Sequence, residues 1–117
     1  MPDMSKYFDT SKERAERAWQ RIQERPANIV IVRGKSITLA EQSVRVEYMS
    51  AERGVRGEDD SESSMRDIYV FGIQDHETLP DTDIQRGDRF TFNDQIWRVD
   101  SLAYYPGQIQ AKGVVSE

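Results

Sequence analysis

The sequence contains no cysteine and a single histidine, His76. The first absence excludes a disulfide framework and any thiolate metal site. The second leaves His76 without an imidazole partner for a metal centre or an acid–base pair; set between Asp75 and Glu77, it reads as a solvated loop histidine. No apolar run approaches the roughly 20 residues that span a bilayer, and residues 1–9 have neither the basic stretch nor the apolar stretch of a signal peptide. Synthesis in the cytoplasm and no membrane partner are therefore expected. Hydrophobic residues are scarce too, 37% against 32% charged, which leaves a small core under a very polar surface. Positive charge is in deficit, with 16 Lys and Arg against 21 Asp and Glu and a net charge of −5. That balance disfavours duplex DNA as a surface partner, because phosphate contacts need clustered cations.

Catalytic motifs are missing as well. No Gly-rich loop precedes a helix, so a P-loop or Rossmann turn is excluded at motif level, and no serine sits in a nucleophile elbow. The acids Glu58, Asp59, Asp60 and Glu62 lack the order of a calcium-binding loop. Arg86-Gly87-Asp88 spells an adhesion tripeptide, but it directly precedes a strand, where Gly87 serves a turn and Asp88 caps it. The chain is not expected to be an enzyme, and no cofactor or metal is expected.

What is present is one helix followed by strands. Thr10 and Glu13 have the spacing of a capping box, and Pro26 stops the helix after about Arg25. At 100° per residue Ala15, Ala18, Trp19 and Ile22 form a narrow apolar stripe. Arg14, Arg17, Arg21 and Arg25 form a second stripe, with Glu13, Glu16, Gln20 and Glu24 on the third side. The arginine stripe is either a solvated face or a surface that docks on an acidic neighbour or faces nucleic acid.

After Pro26 the period shortens to 2. Residues 29–32 form a β-branched strand, 33–35 a turn, and 36–39 the returning arm of a hairpin. Residues 42–49 alternate, with Val44, Val46 and Tyr48 on one face and Arg45 and Glu47 on the other. Residues 50–64 have no core-forming period and read as a long mobile loop. Residues 68–73 are the most hydrophobic run and predict a central strand buried on both faces. Strands over 88–92 and 95–103 meet at Asn93-Asp94, which pairs Phe90 with Trp97 on the face of Phe92 and Val99. Pro106-Gly107 turns the chain into a last strand over 108–115. The expectation is mainly β: a small antiparallel β-barrel of about seven strands with one N-terminal amphipathic α-helix. Residues 1–9 are a flexible arm, and 10–117 a single domain with its helix at 10–25, its barrel at 27–117 and a protruding loop at 50–65. An OB-like module for nucleic acid is the alternative, given Tyr69, Phe71, Phe90, Phe92 and Trp97 on strands; Phe90, Phe92 and Trp97 are better placed as core.

The block from Ile68 onward resembles the head-closure proteins of the neck of tailed bacteriophages, also called stopper or head–tail joining proteins. A strand ending in Phe71-Gly72-Ile73 is followed by Leu79-Pro80, by Asp83-Ile84-Gln85-Arg86-Gly87-Asp88-Arg89-Phe90, and by a tight turn. Gln95-Ile96-Trp97-Arg98-Val99-Asp100-Ser101-Leu102 completes the series. The resemblance covers about the last fifty residues strongly and 27–49 loosely. It implies a structural subunit of the virion neck, assembled in the bacterial host cytoplasm as a homo-oligomeric ring of six- or twelve-fold symmetry. A portal or adaptor ring would lie above it, tail proteins below, and packaged double-stranded DNA would pass through its channel. It implies a channel-gating loop carrying Glu52, Arg53, Arg56, Glu58, Asp59, Asp60 and Glu62. The helix with Arg14, Arg17, Arg21 and Arg25, which the simplest members of the family lack, would then dock the adaptor or a neighbouring subunit.

Overall fold

The computed structural model describes residues 10–49 and 67–116. The expected flexible arm at 1–9 and the whole of the expected loop at 50–65 lie outside the described residues.

Helix α1 spans Ser11–Glu24. It starts where the capping box predicts: Glu13 N donates to Thr10 Oγ1 at 3.1 Å, and Thr10 N donates to Glu13 Oε1 at 2.9 Å. Two of the donors that a helix start leaves unpaired are thereby satisfied. Arg25 is the C-cap, and Pro26 prevents another turn.

Among the described residues eight antiparallel strands follow: β1 (Ala27–Ile29), β2 (Val32–Arg33), β3 (Ile37–Thr38), β4 (Gln42–Tyr48), β5 (Ile68–Ile73), β6 (Arg89–Phe92), β7 (Gln95–Tyr105) and β8 (Gln108–Val115). They form one curled, half-barrel sheet in the order β1-β4-β5-β8-β7-β6-β2-β3. The fold class is thus mainly β with one helix, as the period change after Pro26 predicts.

The extra strand has a physical cause. Residues 29–32 read as one strand, but the segment changes partners midway. Its first half pairs with β4, Ile29 facing Gln42, and its second half pairs with β6, Val32 facing Arg89. Between them Ile31 is fully buried, and its carbonyl accepts from Leu39 N at 2.9 Å. A seven-residue stretch, 27–33, therefore bonds both distant parts of the sheet and curls it.

The concave face holds the larger core, with Ile29, Ile31, Val44, Ile68, Val70, Phe90, Trp97 and Val99 among its members. Phe90 faces Trp97 across the β6–β7 hairpin as expected, and Asn93 and Asp94 turn it at φ 53° and 64°. Positive φ at both central residues is what a hairpin matched to strand twist needs. Trp97 buries its ring and donates Nε1–H to the Phe92 carbonyl at 3.1 Å.

The convex face carries the second core, where Ala18 and Ile22 of α1 pack on Ile73 with Trp19 and Leu79 beside them. This corrects the reading of 68–73 as buried on both faces. Ile68 and Val70 point into the concave core, whereas Tyr69 and Phe71 on the other side are only half-buried. One short helix does not cover the whole convex face.

A bulge explains a further irregularity. In β7, Val99 faces Gly113 but Ser101 faces Lys112, so Asp100 is an extra residue. The alternation changes phase there, which brings Leu102 rather than Ser101 toward the core.

Candidate functional site

Helix α1 divides the convex face into two flanks of opposite charge. Its buried stripe of Ala15, Ala18 and Ile22 fixes its rotation about its axis, and this decides where the charges go. Arg14, Arg17 and Arg21 are turned toward the β7–β8 hairpin, where they line a groove of about 500 Å³. The opposite wall is Tyr105, Pro106, Gln108 and Gln110. Among the described residues no carboxylate lines that groove, and Arg14 and Arg17 are not without partners. The C-cap Arg25 is not among its walls, so the structure brings together three of the four arginines expected to dock a partner.

The hairpin is seated close against the helix. Gly107 sits at φ 81°, and a Cβ built there would lie 2.4 Å from Ala15 N. Only glycine allows this approach, since it tolerates the left-handed backbone and occupies no space. The strand on the other side of β5 also holds the helix: Arg45 of β4 donates to the Arg21 carbonyl at 3.1 Å and pairs with Glu47 at 2.7 Å. A cation on a carbonyl of the helix's last turn also complements the helix dipole.

The other flank belongs to the loop after β5. His76 is its anchor, and its side chain is 6% exposed, which overturns the solvated reading. Its Nδ1 accepts from the backbone N–H groups of Thr78 and Leu79 at 3.1 and 3.2 Å, and its Nε2 is 2.7 Å from Glu16 Oε1. A ring nitrogen that accepts from two amides carries no proton, so the proton is on Nε2 and is donated to Glu16. The flanking residues could not reveal this, because Glu16 lies 60 positions away. The nearby loop residues Asp75, Glu77 and Asp81 are exposed. Glu41 and Asp81 line a hollow with Trp19 and Leu79 on this side. Lys12 is a cation here, lining a second hollow with Asp75, His76 and Asp81.

A third cluster lies where β2 meets the turn before β6. Arg33 donates Nε–H to Asp88 Oδ1 and Nη2–H to Asp88 Oδ2, each at 2.9 Å, and reaches Asp83 at 2.8 Å. These bonds, first to Asp88 and then to Asp83, raise the Arg33 pKa above its ordinary value, so the guanidinium remains charged. Gln85 N also donates to Asp88 Oδ2, at 2.7 Å. Gly87 takes φ 92° in a turn closed by Asp88 N donating to the Gln85 carbonyl. The Arg86-Gly87-Asp88 tripeptide is therefore a turn with its own cap, as the sequence suggests. Its carboxylate is fully engaged inside the protein.

The residues expected to gate a channel, Glu52, Arg53, Arg56, Glu58, Asp59, Asp60 and Glu62, lie outside the described residues. Of the strand aromatics, Phe90 and Trp97 are core and Phe92 packs against it. Tyr69 and Phe71 form a tilted pair with centroids 6.1 Å apart. Among the described residues no group of three or more His, Cys, Asp or Glu could hold a metal ion. The sequence offered no signal for Tyr105, Gln108 and Gln110 as one wall of the arginine groove, because only the β7–β8 register brings them beside the helix. No family model, no curated protein and no solved structure matches the chain.

Proposed function

We propose that this chain is a non-enzymatic subunit of the neck of a tailed bacteriophage, a head-closure protein that joins head to tail. One observation carries the reading: the order of features from Phe71-Gly72-Ile73 through Leu79-Pro80 and Gly87-Asp88 to the Phe90–Trp97 hairpin. Three of these features have a visible structural purpose. Gly72 stands against Thr82, where a Cβ would lie 2.3 Å from the hydroxyl oxygen. Gly87 makes the turn that presents Asp88 to Arg33, and the hairpin supplies Phe90 and Trp97 to the core.

The small curled sheet with a helix on its convex face suits such a role. Among the described residues, arginines line one flank of the helix and exposed acids lie on the other. In this reading the chain acts in the virion neck as a ring below a portal or adaptor ring, with tail proteins on its far side. DNA passes through the ring.

The experiment is reconstitution. DNA-filled heads that carry portal and adaptor but lack this chain should bind the purified protein, retain their DNA and become competent for tail attachment. Electron microscopy of the heads would show the added ring. The reading is overturned if the protein ignores such heads and instead binds single-stranded nucleic acid with steep salt dependence, the outcome expected of an OB-like module.

A further inference from the structure

We infer that the hollow between α1 and the loop after β5 receives an arginine side chain from an exposed segment of another protein. The inference goes beyond the neck reading and stands on the geometry of this one flank.

The hollow measures about 180 Å³, and its lining is mostly apolar: Trp19 of α1, Ile73 of β5, and Leu79 and Pro80 of the loop. Ile73 is buried, but Trp19 is only half-buried, so part of the largest apolar side chain on the helix reaches solvent. Two carboxylates line the same hollow, Glu41 before β4 and Asp81 from the loop, and among the described residues no cation does. Glu41 is exposed and has no hydrogen bond or ion pair with any described residue. Asp81 Oδ1 accepts from Asp75 N at 2.8 Å, which leaves its other oxygen open. The Trp19 indole N–H has no acceptor among the described residues either, whereas that of Trp97 is bonded to the Phe92 carbonyl.

The hollow is shaped before any partner arrives, because the loop that walls it is tied down. His76 Nδ1 accepts from Thr78 N and Leu79 N, and its Nε2 holds Glu16 of the helix. Thr82 closes the loop onto β5: its N donates to the Ile73 carbonyl at 3.0 Å, and its Oγ1 accepts from Ile73 N at 2.9 Å. A preformed site loses little freedom on binding.

Charge and shape select the occupant. An indole beside two carboxylates attracts a cation, and arginine suits it better than lysine. A guanidinium is planar and weakly hydrated, and it packs on aromatic rings while its N–H groups reach carboxylates at the edge. Its apolar stem can lie along Leu79 and Pro80. Exposed Asp75 and Glu77 on the same loop extend the negative field, and Lys12 is the one cation lining the adjoining hollow. Of this chain's own arginines, Arg14, Arg17, Arg33, Arg45 and Arg89 already have partners, which favours a donor on a different protein.

The test is a peptide titration of the full chain followed by proton–nitrogen correlation NMR. The sequence has two tryptophans, and their indole signals serve as site and control. Trp19 lines the hollow, whereas Trp97 is 3% exposed in the core. Trp19→Phe assigns the two signals. The probes are capped glycine pentapeptides carrying arginine, lysine, citrulline or glutamate at the centre. The arginine peptide should shift the Trp19 indole saturably and leave Trp97 in place, and the lysine peptide should bind more weakly. Citrulline, which has arginine's shape without its charge, should bind about tenfold more weakly, and glutamate should not bind. Glu41→Gln with Asp81→Asn should weaken arginine binding by a similar factor, and the Asn keeps an acceptor for Asp75 N. If that pair unsettles the fold, Glu41→Gln alone, at an exposed side chain, must weaken it.

No saturable shift at Trp19 overturns the inference. So does equal binding of the citrulline or the lysine peptide, and so do carboxamide variants that bind like the wild type. Self-association of the free chain that Glu41→Gln abolishes would give the hollow to a second copy and overturn it too. None of these results touches the neck reading, which is tested by binding to portal-bearing heads without peptide.

Discussion

Arg33 grips Asp88 through two parallel hydrogen bonds of 2.9 Å each, across 55 positions of sequence. The carboxylate is almost wholly buried, and the guanidinium retains about a fifth of its exposure. This fork joins β2 to the turn that starts β6, and with the Val32–Arg89 pairing it holds the curled sheet together at that seam. A two-pronged geometry of this kind is stronger and more directional than a single contact.

Removing one prong's owner should be costly. Arg33→Met leaves the Asp88 carboxylate buried with the backbone N–H of Gln85 still donating to it, and the expected loss is about 3 kcal/mol or more. Arg33→Met combined with Asp88→Leu should lose less than the sum of the single changes, since no charge remains buried. Asp83→Ala, at a side chain 57% exposed, should cost no more than about 1 kcal/mol. Urea unfolding followed by tryptophan fluorescence ranks the four proteins. Equal losses for Asp83→Ala and Arg33→Met would contradict the account.

The approach of the β7–β8 turn to the helix gives a second prediction. Gly107→Ala places a methyl group 2.4 Å from Ala15 N and forces an L-residue to φ 81°. The left-handed backbone alone costs about 1 kcal/mol, and the overlap adds to it. The helix or the hairpin must shift, so the total should reach about 2 kcal/mol. Gly34→Ala is the control. It shares a positive φ of 65° but meets nothing within 4 Å, so it should cost only the backbone part. Thermal denaturation of the two variants distinguishes space from conformation.

His76 has two separable tasks, and two substitutions divide them. Asn has a carbonyl oxygen at about the place of Nδ1 and can accept from the Thr78 and Leu79 amides, as in an Asx turn. Gln reaches further and can place an N–H near Glu16. His76→Asn should keep the loop's internal bonds and lose the link to α1. His76→Gln should do the reverse, each costing about 1 kcal/mol. Amide hydrogen exchange checks the assignment: protection at Thr78 and Leu79 should survive in the Asn variant and fall in the Gln variant.

The β6–β7 turn offers a gain. Asn93 and Asp94 both hold positive φ, and Asn93 also donates to the Tyr48 hydroxyl at 2.9 Å. Asp94→Gly creates the Asn-Gly pair that such turns favour and should stabilise by about 0.5 kcal/mol. Asn93→Ala should destabilise by about 1 kcal/mol, since it loses both the hydrogen bond and the tolerance of positive φ. Urea midpoints read both signs.

Where the local signal was strong, the sequence alone was enough. Thr10, Glu13 and Pro26 bounded the helix, and Asn93-Asp94 and Pro106-Gly107 marked the two tight hairpins. The alternation through Val44, Val46, Phe90, Trp97 and Val99 identified the concave core. Each of these follows from contacts within a few residues or from a period that depends only on backbone geometry.

The tertiary structure decided what depends on partners far along the chain. It split 27–33 between two neighbours, because hydrogen-bonding partners are not written in a strand's own pattern. It left Tyr69 and Phe71 on one side of β5 only half-buried, because a short helix cannot cover the convex face, and it buried the His76 side chain beside Glu16. The arginine stripe was legible as a stripe, but its rotation was set by packing Ala18 and Ile22 on Ile73. That packing turns the stripe toward Tyr105 and Gln108 and leaves the acids on the opposite flank, and a period of 3.6 residues has no means of choosing its neighbours.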